Sequence, residues 1–282
     1  MITTTKYAQN AKKIFKKCGT CSQTFAHILN REFEHPLEDE ERALDPLAGG
    51  LLNTGHQCGM LWGSALAIGA ESFRINNDLD KAVAVSISAT KQVMESFEET
   101  AGTVNCYNVT GYHLDNYWGL FRYMVKTMLK GMENSKCFNL AEEWAPEAVR
   151  TAIEGLIKKQ PKYNQQPLSC ATEVAKRMGA TDEESVMIAG FAGGMGLSGN
   201  ACGALGAAIW MKTLRWCKEN PGKTPPYLNN PALKKLLNSF KQETGSKIRC
   251  KDITNQTFET LDDHTNHIKK GGCKELIDFL AE

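Results

Sequence analysis

The sequence predicts an all-α protein made of two pseudo-symmetric helical halves that arose by internal duplication. Three observations carry that prediction. Apolar residues recur at helical spacing in the longer segments. No run alternates apolar and polar residues between hairpin turns. The chain also repeats its own pattern at an offset of 144 residues. The expected halves are 1–158 and 159–282, joined near LIKKQPKYNQQP, whose prolines and polar residues read as a linker.

The repeat is ungapped at its centre. GGLLNTGHQCGML, from Gly49, falls on GGMGLSGNACGAL, from Gly193, so that Gly49, Gly50, Gly55, Cys58, Gly59 and Leu61 meet Gly193, Gly194, Gly199, Cys202, Gly203 and Leu205. At the same offset Cys106-Tyr-Asn-Val-Thr meets Cys250-Lys-Asp-Ile-Thr. The outer cysteines follow with small shifts. Cys21 pairs with Cys170, five residues further from its glycine pair, and Cys137 pairs with Cys273, eight residues further from the preceding cysteine. Cys18 and Cys217 have no counterpart.

Taken along the chain, the elements read as follows. Leu47 to Ala70 and Ser185 to Met211 contain no Asp, Glu, Lys or Arg. Their glycine clusters mark turns between shorter buried helices rather than membrane spans. Asp78 to Thr100 carries Leu79, Ala82, Val83, Ile87 and Val93 at helical spacing, and Leu228 to Gln242 repeats the idea with Leu233, Leu236, Leu237 and Phe240. Thr181 with Glu184 forms a capping box that starts a helix. Loop is expected around Cys106 and Cys250. Gly55, Gly59, Gly63 and Ala67 recur every four residues, as do Gly199, Gly203 and Ala207, a stripe that lets another backbone approach.

The composition excludes several function classes. Thirty-three Lys and Arg against 32 Asp and Glu argue against a nucleic-acid or polyanion binder. The N-terminus has no apolar h-region, so export is not signalled and a cytoplasmic location is expected. There, ten cysteines spread over 282 residues point to metal, cluster or thiol chemistry rather than a disulfide scaffold. Cys58 and Cys202 stand three residues after a glycine expected to open a helix, where free N–H groups favour a thiolate. Buried cysteines that merely pack two helices are the alternative.

Each half resembles the C-GCAxxG-C-C family of redox-active proteins. The second half carries the pattern as Cys170, GGMGLSGNACGALGAA with Cys202, GSKIRCKDIT with Cys250, and GGCKEL with Cys273. The first half departs from it at His56, Gln57 and Trp62, and in the CxxC that Cys18 adds to Cys21. The cysteine-bearing part of split-Soret cytochromes resembles the unit distantly. There, four cysteines are associated with an iron–sulfur cluster beside haems. Ser22 follows Cys21, so no CxxCH exists and covalent c-type haem is excluded.

The resemblance and the ligand chemistry imply iron–sulfur clusters, 2Fe–2S or 4Fe–4S, one per half. The expected ligand sets are Cys21, Cys58, Cys106 and Cys137, and Cys170, Cys202, Cys250 and Cys273. Electron transfer or redox sensing for a partner oxidoreductase is the expected role, with a homodimer as a further expected assembly. A metal-free thiol–disulfide enzyme is the first alternative and a zinc-stabilised interaction module the second, although the second half lacks paired knuckles. His56 is expected to donate to a sulfur beside Cys58 and set the two centres' potentials apart. His264 and His267 read as an exposed polar face. Trp62, Trp118, Trp144, Trp210 and Trp216 read as core. No P-loop, GxSxG or HExxH is present, and the GGMGLSGNACG glycines do not follow a strand.

Overall fold

The computed structural model describes residues 6–158, 163–226, 228 and 230–282, among which lie fifteen α-helices and no strand. After α1 (Ala11–Cys18), seven helices follow: α2 (Cys21–Glu32), α3 (Glu38–Arg42), α4 (Gly59–Ile75), α5 (Leu79–Ala101), α6 (Cys106–Thr110), α7 (Tyr117–Lys130) and α8 (Lys136–Ile157). The second half runs through the same order as α9 (Cys170–Arg177), α10 (Asp182–Met187), α11 (Gly203–Glu219), α12 (Pro231–Glu243), α13 (Cys250–Thr254), α14 (Leu261–Lys269) and α15 (Lys274–Ala281). Residues 159–162 of the expected linker lie outside the described residues.

Local chemistry explains the boundaries. Asp78 caps α5 by accepting from the Lys81 N–H at 2.6 Å, and Gly102 ends it in the left-handed region. The Thr181–Glu184 capping box forms as expected. The helix expected over Leu228–Gln242 begins at Pro231, because Asn230 accepts from two N–H groups and Pro needs no partner at N1. Residue 229 of that expectation lies outside the described residues. Short helices, α6 and α13, replace the loops expected at Cys106 and Cys250. Among the described residues no helix is long and apolar enough to cross a membrane.

The 144-residue offset is visible in the backbone itself. Gln57 bridges Asn105, and Ala201 bridges Arg249. The Cys106 N–H donates to the His56 carbonyl at 2.6 Å, and the Cys250 N–H to the Asn200 carbonyl at 2.6 Å. Ahead of these bridges, Gly49 to Asn53 form five consecutive residues at positive φ, and Gly193 to Leu197 do the same. Left-handed backbone costs a non-glycine residue about 1–2 kcal/mol. Leu51 and Met195, equivalent in the repeat, are both fully buried. Burial of such a side chain is worth roughly 1.5–3 kcal/mol, which offsets the strain.

The halves share one hydrophobic core. Around Trp144 in the first half, Phe25 stacks at 4.8 Å and Phe97 meets the ring edge-on at 4.7 Å, joining α2, α5 and α8. Across the halves, α4 lies against α10, and its counterpart α11 lies against α3, a reciprocal exchange. Trp210 of α11 donates its indole N–H to the Glu40 carbonyl of the first half at 3.1 Å. Trp62 of α4 packs edge-on against Phe191 at 4.7 Å. Trp62, Trp144 and Trp210 are fully buried and Trp216 partly so, whereas Trp118 is 68% exposed on α7. Trp118 therefore departs from the core assignment, because α7 has no covering layer on that side. A fragment spanning 1–158 alone is expected to show no cooperative thermal transition, since it bares the α4 face that α10 covers. A sharp transition near the intact protein's midpoint would contradict this.

Candidate functional site

All eight repeat-paired cysteines stand at helix N-termini. Cys21, Cys106, Cys170 and Cys250 are the first residues of α2, α6, α9 and α13, and Cys137 is the second of α8. Cys58, Cys202 and Cys273 are the N-caps of α4, α11 and α15. Each site is thus built where helix dipoles and free N–H groups favour negative charge. The close approach expected of the glycine stripe occurs here too. A Cβ on Gly59 would stand 2.5 Å from the Cys21 sulfur, and one on Gly63 would run into the Ser22 carbonyl, so α4 lies directly on α2.

The first half brings its four thiols together. Cys21 and Cys58 are in hydrogen-bond contact, and Cys106 and Cys137 lie near enough to feel the Cys21 charge. That contact with Cys58, with the Gly49, Cys21 and Ser22 N–H groups, holds the Cys21 thiol below its usual range against burial. Cys58, donating to Cys21 and buried, is pushed well above it. Burial raises Cys106 well above its usual value and Cys137 to about 11.

The second quartet forms likewise. Cys170, Cys202, Cys250 and Cys273 line one cavity together with His264 and His267. The Gly193 N–H meets the Cys170 sulfur as the Gly49 N–H meets Cys21, a contact both halves make although the cysteines are shifted by five residues from the 144-residue offset of the glycines. Burial pushes Cys202 up to about 12 despite the Leu205 and Ala204 N–H groups. This corrects the expectation of thiolates at Cys58 and Cys202. Both sit at helix N-termini, but donation to Cys21 followed by burial at Cys58, and burial at Cys202, outweigh the dipole. Among the described residues, no three or more His, Cys, Asp or Glu side chains stand at the spacing for a single bound ion.

Cys21 rather than Cys18 belongs to the first quartet. Cys18 ends α1, and burial followed by Glu41 raises its thiol to about 11. Cys217 lies within α11, where burial likewise raises it to about 11, with Arg42 the next influence.

The sulfur partners differ from those expected. His56 is half-buried, and burial with the Arg249 and Lys241 charges of the other half lowers its pKa. Side chains that reach sulfur include Tyr123, whose hydroxyl donates to Cys137 at 3.6 Å, His267, whose Nε2 lies 3.6 Å from Cys273, and Thr254, whose hydroxyl donates to Cys250. The Gln256 amide nitrogen faces His267 Nδ1 at 2.5 Å, so Nδ1 accepts and Nε2 carries the proton. His264 is buried rather than exposed. Its Nδ1 donates to the Leu168 carbonyl at 3.1 Å, and burial lowers its pKa to about 4. The 3.6-residue period does place His264 and His267 on one face, which was the available signal.

A family model described as "Putative redox-active protein (C_GCAxxG_C_C)" matches the chain twice, over residues 19–150 and 168–282. No curated protein and no solved structure matches.

Proposed function

The chain belongs to the C_GCAxxG_C_C family of redox-active proteins and carries its unit twice, and on that premise we propose that each half holds one cysteine-ligated iron–sulfur cluster. Cys21, Cys58, Cys106 and Cys137 would hold one, and Cys170, Cys202, Cys250 and Cys273 the other. The observation that carries this reading is the gathering of four thiols at four helix N-termini in each half. The donor set fits, since such clusters take four thiolates and leave a net negative charge that N–H groups and dipoles favour. When bound, the cluster would supply one-electron exchange for a partner oxidoreductase. Loading displaces protons from thiols that burial otherwise keeps protonated. Tyr123 and the Nε2–H of His267 then act as sulfur donors, one phenol and one imidazole, which makes the two sites inequivalent.

One observation favours a second reading for the first half, the contact by which the Cys58 thiol lowers the pKa of Cys21. There, Cys21 would attack a partner disulfide and Cys58 would resolve the mixed disulfide. The chain would end with a Cys21–Cys58 disulfide and the partner as a dithiol.

Protein purified without oxygen is expected to be brown and to contain iron with acid-labile sulfide. Cys58→Ser and Cys202→Ser are each expected to lose about half of the iron, leaving one distinguishable EPR signal apiece. Colourless protein whose only redox response is a change in thiol titre would establish the second reading instead.

A further inference from the structure

The first half carries eight more residues between its third and fourth cysteines than the second. That extra length extends the segment occupied by α7, and behind it lies a cavity of about 330 Å³. In the second half the shorter segment sets His264 and His267 against the quartet, and the void beside the cysteines is about 10 Å³. At roughly 30 Å³ per water, the larger cavity holds about ten water-sized groups and the smaller holds none to spare.

The larger cavity has a definite chemistry. Lys126 and Lys136 supply two cations, and among the described residues no carboxylate lines it. The nearby Glu133 is already paired with Lys16 at 2.9 Å. Thr110, Thr127 and Ser135 contribute hydroxyls, and Tyr112 and Tyr123 contribute phenols. The Lys126 ammonium stands 5.7 Å from the Tyr112 ring centre. Ser135 caps α8, a 22-residue helix whose positive end therefore faces the same space. Tyr123 belongs both to this lining and to the Cys137 sulfur contact, so one side chain touches the cavity and the quartet alike.

We propose that this cavity binds a small anionic molecule, its carboxylate or phosphoryl oxygens held by Lys126, Lys136 and the hydroxyls at the start of α8, and its body lying over Tyr123. This deepens the redox reading, on which it rests for its purpose: a molecule held there lies against Tyr123, the side chain whose hydroxyl reaches the Cys137 sulfur. Binding itself needs only the side chains of the cavity.

The test is an NMR titration at constant ionic strength with benzoate and, separately, inorganic phosphate, on protein whose iron content is measured in the same sample. Saturable shifts at the Thr110, Lys126 and Ser135 amides are expected, with Lys126→Gln and Lys136→Gln each weakening binding about tenfold. Response to benzoate alone identifies a carboxylate on an apolar body; response to phosphate identifies a phosphoryl group. Failure of both probes to saturate, or an affinity that neither substitution changes, overturns the proposal. The two readings fail separately. Binding without iron keeps the cavity and removes the cluster, and iron without binding does the reverse.

Discussion

Gly194→Ala is expected to destroy the C-terminal quartet, and Gly50→Ala the N-terminal one. A Cβ on Gly194 would stand 2.5 Å from the Asn200 nitrogen and 2.6 Å from its oxygen, and one on Gly50 would stand 2.6 Å from both atoms of His56. Those contacts are backbone, so no side chain can swing aside. Both residues also sit at φ near +80°, where alanine is strained. Left-handed strain alone costs about 1–2 kcal/mol, and the clash adds enough that a total above roughly 3 kcal/mol is expected. Gly102→Ala provides the control, with φ +68° and nothing within 4 Å. Thermal unfolding should separate them, with a fall of about 5–10 °C for Gly194→Ala and a few degrees for Gly102→Ala. Equal losses at the two positions would mean that the close approach to Asn200 is not what holds the turn. The carbonyl of Asn200 receives the Cys250 N–H, so displacing it carries Cys250 away from Cys202.

The second large effect crosses the halves. Trp62 and Gly206 occupy equivalent places in the repeat, and they touch: a Cβ on Gly206 would lie 2.5 Å from Trp62 Cζ3. The departure from the family pattern at Trp62 is thereby explained, since one half supplies bulk where the other supplies space. Trp62 is fully buried, and Trp62→Leu is expected to lose about 2–4 kcal/mol. Gly206→Ala is expected to cost roughly 1–3 kcal/mol in the native background through overpacking. Its sign should then reverse. In a Trp62→Leu chain the clash is gone, and alanine gains up to about 1 kcal/mol over glycine inside a helix. A double-mutant cycle by chemical unfolding reads the coupling directly, and strictly additive losses would show that the two residues do not share the space.

Much of the site was legible in the amino-acid sequence because duplication writes the same local requirement twice. Cys58 with Cys106 and Cys202 with Cys250 stand 48 residues apart in both halves, and that spacing reappears as the same backbone bridge. The choice of helix over strand was equally local, carried by periodicity and caps such as Asp78 and Thr181.

Other features depended on residues distant in the chain and could not be read from either repeat alone. The expectation for His56 rested on its position two residues before Cys58, but a side chain's state is set by its surroundings, here burial first and then the charge of Arg249 from the other half. His267 reaches Cys273 only because Gly271 and Gly272 turn the chain back between α14 and α15, bringing the two within 3.6 Å. Low-pKa thiols were expected at Cys58 and Cys202 from helix position, yet Cys58 is raised first by donating to Cys21 and Cys202 by burial, and both causes come from segments distant in the chain. The sequence by itself determined that the unit occurs twice, which cysteines correspond between the halves and that the chain is helical. Only the tertiary structure decided which side chains touch the sulfurs, which thiol pKa values rise or fall and what lines the space around each quartet, because each of these is a contact between segments whose separation in sequence carries no information about their distance in space.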